Sequence, residues 1–180
     1  MSSFQALIRE YLYALPWEEN TREAYGRDLL QFAGYCHKEG LDLSAIVQDH
    51  IEEFFAELSY MGLEDSTRAR KVAAIRGFFR FLTEAGHLAE NPAAHVTAPK
   101  TRRHLPDVLR LSQLQDLLNL CDQTKPSGLR DRAMFVLLGQ RGLRVTEMLQ
   151  LNVGDIPDLQ WSEPQLIVRG KGSRERIVPL

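Results

Sequence analysis

The sequence predicts a mainly α protein in two parts: a four-helix N-terminal domain, then the start of an α+β domain that closes on a short β-hairpin. Three observations carry this. Apolar residues recur at helical spacing through residues 4–85. Pro16, Gly40 and Gly86 punctuate those runs at helix-length intervals. The runs that read as strands come late: Gln165–Arg169 and Glu175–Leu180 flank the turn-forming string Gly170-Lys171-Gly172-Ser173.

The first helix covers residues 4–14, with Phe4, Leu7, Ile8, Tyr11 and Leu12 inward, and Pro16 ends it. The second runs from Asn20 to Lys38. Asn20 is its expected N-cap with Glu23 three residues on, and Tyr25, Leu29, Phe32, Ala33 and Cys36 form its stripe. The third runs from Gln48 to Tyr60 with Ile51, Phe54, Phe55 and Leu58 inward. Ser66 is the expected cap of a fourth helix reaching Ala85, with Val72, Ile75, Phe78, Phe79 and Leu82 inward. Residues 1–86 thus form one domain, near the lower size limit for an independent core. Residues 87–110 read as a basic linker, because Asn91-Pro92 and Pro99-Lys100 have no apolar periodicity around them. The second domain, 111–180, opens on a helix at Leu111 and a second at Gly128, whose Ala133–Leu138 run is the expected buried segment. Arg130, Asp131 and Arg132 read as an ion-pair cluster. Gly142 breaks that helix and Arg144 opens the next, with Val145, Met148, Leu149 and Val153 at the i, i+3, i+4, i+8 positions of a buried face.

Composition excludes several classes. The 180 residues are 44% hydrophobic, ordinary for a globular chain, and no apolar run reaches the roughly 20 residues of a membrane span. The start lacks a basic and apolar leader, so a cytoplasmic protein is expected. Cys36 and Cys121 lie far apart in apolar helical patterns and read as buried free thiols, and the five histidines have no metal-ligand spacing, so neither a metal nor another cofactor is expected. The net charge of −2 hides a strong asymmetry. Residues 1–65 hold four Lys+Arg against thirteen Asp+Glu, residues 66–110 nine against three, and residues 111–180 nine against eight. The positive charge gathers on the fourth helix (Arg68, Arg70, Lys71, Arg76, Arg80) and on Lys100-Thr101-Arg102-Arg103. Cations presented along one face are what phosphate contacts need. On the residues alone, a solvated charged face fits equally well.

Two stretches carry the chemistry. In Gly142-Leu143-Arg144-Val145-Thr146-Glu147, an arginine sits at a helix junction off the apolar stripe. Its planar fork suits a phosphate. By itself Arg144 reads as an ordinary surface arginine. In Gly170-Lys171-Gly172-Ser173-Arg174-Glu175-Arg176, two glycines leave Lys171 at a hairpin tip, free to approach a DNA backbone or to donate a proton. This is not a phosphate loop: Gly172 separates Lys171 from Ser173, Gln165 stands where the first glycine belongs, and a strand follows instead of a helix.

Together these stretches resemble the tyrosine recombinases, the integrase family that includes Xer-type enzymes. The resemblance extends to Gly128-Leu129-Arg130-Asp131-Arg132-Ala133 and Val178-Pro179-Leu180, and upstream to Asn20-Thr21-Arg22-Glu23-Ala24-Tyr25, Ser66-Thr67-Arg68, Arg80-Phe81-Leu82 and Asn91-Pro92-Ala93. It implies a SAM-like, DNA-clamping N-terminal domain followed by the first part of a recombinase catalytic domain. It implies cleavage and rejoining of double-stranded DNA through a 3′-phosphotyrosyl intermediate, without metal or cofactor, by a full-length protein acting as a tetramer on two sites. Arg144 matches the first active-site arginine, Lys171 the hairpin general acid, and Glu147 a supporting acidic position. Thr21, Arg22, Arg27, Thr67, Arg68, Lys71, Arg76, Arg80, Lys100, Arg102, Arg103, Arg174 and Arg176 are the implied DNA contacts. The later His-x-x-Arg and nucleophilic Tyr of the pattern have no counterpart here. All five tyrosines precede Arg144, so the 180-residue chain is expected to bind DNA without cleaving it, and its second domain to expose apolar surface. Three classes stay open: a recombinase represented by its N-terminal part, a related non-catalytic DNA-binding regulator, and a helical interaction module. The Arg144–Lys171 pair favours the first over the second, and the basic fourth helix favours either over the third.

Overall fold

The computed structural model describes residues 2–101, 107–156, 164–170 and 174–180. The chain forms two compact units, Met1–His104 and Leu105–Leu180. No helix among the described residues is long and apolar enough to cross a membrane.

The first unit is built from α1 (Ser2–Ala14), α2 (Glu19–Lys38), α3 (Gln48–Tyr60) and α4 (Asp65–Glu84). The expected stripes face inward, and Phe32 lies at their meeting point. Its ring packs against Phe4 of α1 (6.4 Å), Phe54 of α3 (5.2 Å) and Phe79 of α4 (6.0 Å). Such pairs add about 0.5–1.5 kcal/mol each beyond their area, so one ring ties all four helices together. Helices α2 and α4 have their N-caps two residues earlier than expected. Glu18 and Glu64 are their extended N-cap residues, neither making a side-chain cap bond. The acidic residues Glu19 and Asp65 in the first turns complement the helix dipole without an Asn20 or Ser66 cap.

Two features of this unit depart from the sequence expectation. Ala93 and Val96, in the segment expected to be linker, are buried in the four-helix core. Asn91 makes this possible, its side-chain oxygen accepting a bond from the Ala93 N–H at 2.9 Å. Lys71, expected on a basic face, is buried. Its Nζ donates to Asp28 at 2.7 Å and to the Gln31 side-chain oxygen at 2.6 Å, while Arg70 also reaches Asp28. The four-residue spacing from Lys71 to Ile75 puts both on the α2 side of α4.

The second unit holds α5 (Leu111–Asn119), α6 (Pro126–Gly139), α7 (Val145–Leu149) and an antiparallel pair, β1 (Gln165–Arg169) and β2 (Glu175–Pro179), in register Leu166↔Val178 and Val168↔Arg176. Pro126, at the first helical position, starts α6 earlier than Gly128. Gly128 serves a different end: a Cβ there would lie 2.0 Å from the Asp122 carbonyl oxygen, so the preceding loop can cross close to the helix. The Ala133–Leu138 run is not a buried core segment; Gly128 is the one buried residue of α6, and Met134–Leu138 are half-covered. The expected buried face of α7 is also overturned. Val145, Leu149 and Val153 are exposed and Met148 is half-buried, because α7 is a single turn that presents Glu147 inward instead. Among the described residues, a small core cluster of this unit is Leu143, Leu166, Val168 and Val178, and α5 buries Leu114 and Leu118. Cys36 is a buried free thiol; Cys121, expected to be buried, is half-exposed.

Candidate phosphate-binding site

Gly142 has φ 66°, a left-handed conformation that costs glycine little, and it turns the chain from α6 into α7. Arg144 follows as the extended N-cap residue of α7. Glu147, one turn on, bonds back to it twice: Oε2 accepts the Arg144 backbone N–H at 2.8 Å and Oε1 accepts Nη1 at 2.7 Å. The i, i+3 proximity expected from the sequence is therefore present, as a capping box with a charged partner. The Arg144 side chain is 73% exposed while that of Glu147 is 4% exposed. The remaining guanidinium donors of Arg144 meet no acceptor among the described residues.

Arg176 completes the arrangement. From β2 it donates Nη1 to Glu147 Oε1 and Nη2 to Oε2, both at 2.8 Å. This two-pronged bond, followed by the Arg144 backbone bond, holds the Glu147 carboxyl far below the usual carboxylate range. The same pair raises Arg176 further above its ordinary value. Arg176 was expected as a DNA contact; both of its terminal nitrogens instead face protein. A second buried carboxylate stands nearby in the same unit. Asp155 accepts the Asn152 backbone N–H at 2.8 Å and Arg169 Nη1 at 2.8 Å, and these bonds lower its pKa. Sequence reasoning missed Asp155, although Asn152-Val153-Gly154-Asp155 carries the N-cap-to-N3 spacing. Lys171 lies outside the described residues, as do Arg102 and Arg103.

The other sequence-selected cations divide by burial. Arg22 is turned inward: Nε donates to the Leu12 carbonyl at 3.2 Å, Nη2 to the Trp17 carbonyl at 3.1 Å and Nη1 to Glu19 at 2.8 Å, which fastens the turn between α1 and α2. Lys71 is buried against Asp28. Arg68 is largely covered and paired with Asp65 at 2.5 Å. Arg27 and Arg80 are exposed, with loose i, i+4 partners Glu23 at 3.6 Å and Glu84 at 3.9 Å. Arg76, Lys100 and Arg174 are exposed, and Thr21 and Thr67 are half-buried. Arg76 and Arg80 line an open cleft of 320 Å³ with Gly77, Asn91 and Ala94.

A helical unit followed by a second unit with a capped arginine and a hairpin is an order that recurs in known proteins. Residues 8–86 match the phage integrase N-terminal SAM-like domain and residues 107–180 match the phage integrase family. The chain belongs to that family, the tyrosine recombinases. Within it the chain is similar to the tyrosine recombinase XerD of Listeria monocytogenes serovar 1/2a, 37% identical over 180 residues that cover 97% of this chain and 60% of the relative. The chain therefore spans about 60% of the length of the curated relative it matches. In fold it is similar to the XerH site-specific recombinase bound to a palindromic difH substrate (TM-score 0.68, 23% identity, 88% of this chain and 48% of that one). It is likewise similar to a lambda integrase tetramer bound to a Holliday junction (TM-score 0.71, 18% identity, 99% and 52%).

Proposed function

We propose that this chain is the DNA-clamping and phosphate-binding portion of an Xer-like site-specific DNA recombinase that acts on double-stranded DNA in the cytoplasm. Residues 1–86 clamp the duplex with Ala93 and Val96 completing their core, the rest of 87–110 connects, and 111–180 begin the catalytic domain. The full recombinase cleaves and rejoins strands through a phosphotyrosine intermediate, as a tetramer on two sites. Arg144 meets the charge that develops on the scissile phosphate oxygens. Lys171 donates a proton to the leaving oxygen, and Glu147 supports Arg144. Arg27, Arg76, Arg80, Lys100, Arg102, Arg103 and Arg174 contact the DNA backbone, with Thr21, Thr67 and Arg68 beside them. Arg22, Lys71 and Arg176 leave that set because their donors are occupied within the protein.

One observation carries this reading: an exposed guanidinium held at a helix start by a buried, ionised carboxylate. A side chain fixed on one edge and open on the other suits an external anion, and the fixed geometry avoids reorganisation when charge develops. The five tyrosines support binding without cleavage by these residues alone. All precede residue 61, and burial raises the hydroxyls of Tyr11 and Tyr35, the opposite of activation.

The test is duplex affinity against salt. Log affinity should fall linearly with log salt, and Arg76→Ala with Arg80→Ala should reduce the slope by roughly 0.9 for each phosphate that is no longer neutralised. A salt-independent affinity, or no affinity, would point to a helical interaction module. A covalent adduct between this chain and a suicide DNA substrate would overturn the binding-only assignment.

A further inference from the structure

We infer that Arg176 is a positioning residue: through Glu147 it fixes Arg144, and it fastens strand β2 to the start of α7. The inference deepens the proposed role of Arg144 and rests on that reading only in its DNA measurement.

An ionised carboxylate offers about four acceptor positions. Glu147 uses four, two for Arg176 Nη1 and Nη2 and two for Arg144 Nη1 and backbone N–H, at 2.7–2.8 Å. The carboxylate is thus gripped from both sides. Arg144 and its backbone bond along one edge, and Arg176 fixes the plane of the group from the other. A glutamate side chain alone has rotational freedom about its last bonds. A bidentate guanidinium removes it, because two parallel bonds admit one plane.

The strand register explains why Arg176 can reach. Arg176 pairs with Val168 across the ladder, and cross-strand partners share a face. That face also bears Leu166 and Val178, which are buried. Arg176 therefore points into the unit, not toward solvent. Gly170 lies beside the joint: a Cβ built there would be in ordinary contact with Glu147 Oε1 at 3.4 Å and Arg176 Nη1 at 3.8 Å, so the strand end abuts the ion pair. The Gly170 N–H also donates to the Arg174 carbonyl at 2.7 Å, closing the base of the turn. Gly170 and Arg174, the described residues at this end of the strand pair, thus lie close to the Glu147–Arg176 pair. A mutation at Arg176 loosens Glu147 and, through it, Arg144.

The deciding experiment follows the Arg144 guanidinium by nitrogen-15 NMR in this chain without DNA, the signal being assigned by its loss in Arg144→Lys. In the wild type the guanidinium nitrogens are resolved through hindered rotation. Arg176→Gln and Glu147→Gln collapse them. Arg169→Gln, which breaks the neighbouring pair with Asp155, lowers thermal stability but leaves them resolved, and this separates positioning from general loosening. Arg176→Lys keeps the charge but not the fork; it also loses the resolved signals, and it serves if Arg176→Gln does not fold. Unchanged Arg144 signals in a folded Arg176 variant would overturn the inference. The second measurement is duplex affinity. Arg144→Ala costs about tenfold in the wild type and less than about twofold in an Arg176→Gln background, a coupling within the range of contacting residues. If Arg144→Ala leaves affinity unchanged while the NMR result holds, the phosphate-binding reading fails and the positioning of Arg144 by Arg176 stands.

Discussion

A carboxylate that is 4% exposed must be either neutral or fully bonded, and Glu147 is fully bonded. Because Arg176 and then Arg144 depress its pKa, its ionised form stabilises the fold above the ordinary carboxylate value of about 4.3. That contribution is lost as pH falls below this value toward the folded pKa. Glu147→Gln should therefore flatten the acid side of the thermal midpoint profile of the second unit. The wild type loses more than the variant between about pH 6 and about pH 3. Asp28 and Lys71 make the matching case in the first unit, with side chains 2% and 8% exposed. Arg70 also bonds Asp28, so Lys71→Ala leaves that carboxylate one cation and should cost less than the about 3–5 kcal/mol of a fully broken buried pair. It should lower the urea midpoint without altering the salt slope of DNA binding; a reduced slope at unchanged stability would return Lys71 to the DNA face. At this scale the sequence was a partial guide. The i, i+3 spacing placed Glu147 beside Arg144. The spacing of Lys71 from Ile75 put it on the inward side of its helix, but its charge argued for solvent, and the partner that lets it stay buried, Asp28, is 43 residues away.

At the scale of elements, α4 shows how one helix serves two ends. Val72, Ala74, Ile75, Phe78, Phe79 and Leu82 are buried, while Arg76 and Arg80 remain outside. Gly77 sits where the two faces meet, and a Cβ there would lie 2.2 Å from the Tyr11 hydroxyl. Gly77→Ala should cost about 1–3 kcal/mol by overpacking, despite its better helix propensity. Adding Tyr11→Phe should recover most of that loss, since the clash is with the hydroxyl oxygen; denaturation midpoints of the two single variants and the double give the comparison. The hairpin was legible from its branched runs and glycines. Its orientation was not: Ile177 and Val178 are both apolar, so alternation alone did not say that Arg176 shares the inward face with Val178. Helix α7 misled because four apolar residues fitted a helical stripe. The period identifies a shared face but says nothing about what covers it, and here Val145 and Leu149 are exposed.

At the scale of the whole molecule, the two units hold different shares of the core. The buried apolar residues of the first include members of all four helices together with Ala93 and Val96. Residues 1–104 should therefore melt cooperatively on their own at a midpoint close to that of the intact chain, measured by circular dichroism. A version ending at residue 86 should melt lower, because it lacks the Ala93 and Val96 plug. Among its described residues the second unit has a buried cluster of four, with Leu114 and Leu118 of α5 buried apart from it, and it holds two ionised carboxylates, Glu147 and Asp155, with arginines from the strand pair.

By itself the sequence determined the helix order, the hairpin, the concentration of positive charge after residue 65, and the capped arginine with its glutamate. Each follows from periodicity, turn chemistry or a spacing within one helical turn, all properties of short stretches of chain. Only the tertiary structure decided which cations remain available to a ligand. Arg22, Lys71 and Arg176 carry the same positive charge as Arg27, Arg76 and Arg144 in a sequence, and differ in whether distant oxygens from Leu12, Asp28 or Glu147 occupy their donors. A cation's role is set by the partners the fold brings to it, and those partners lie 10, 43 and 29 residues away.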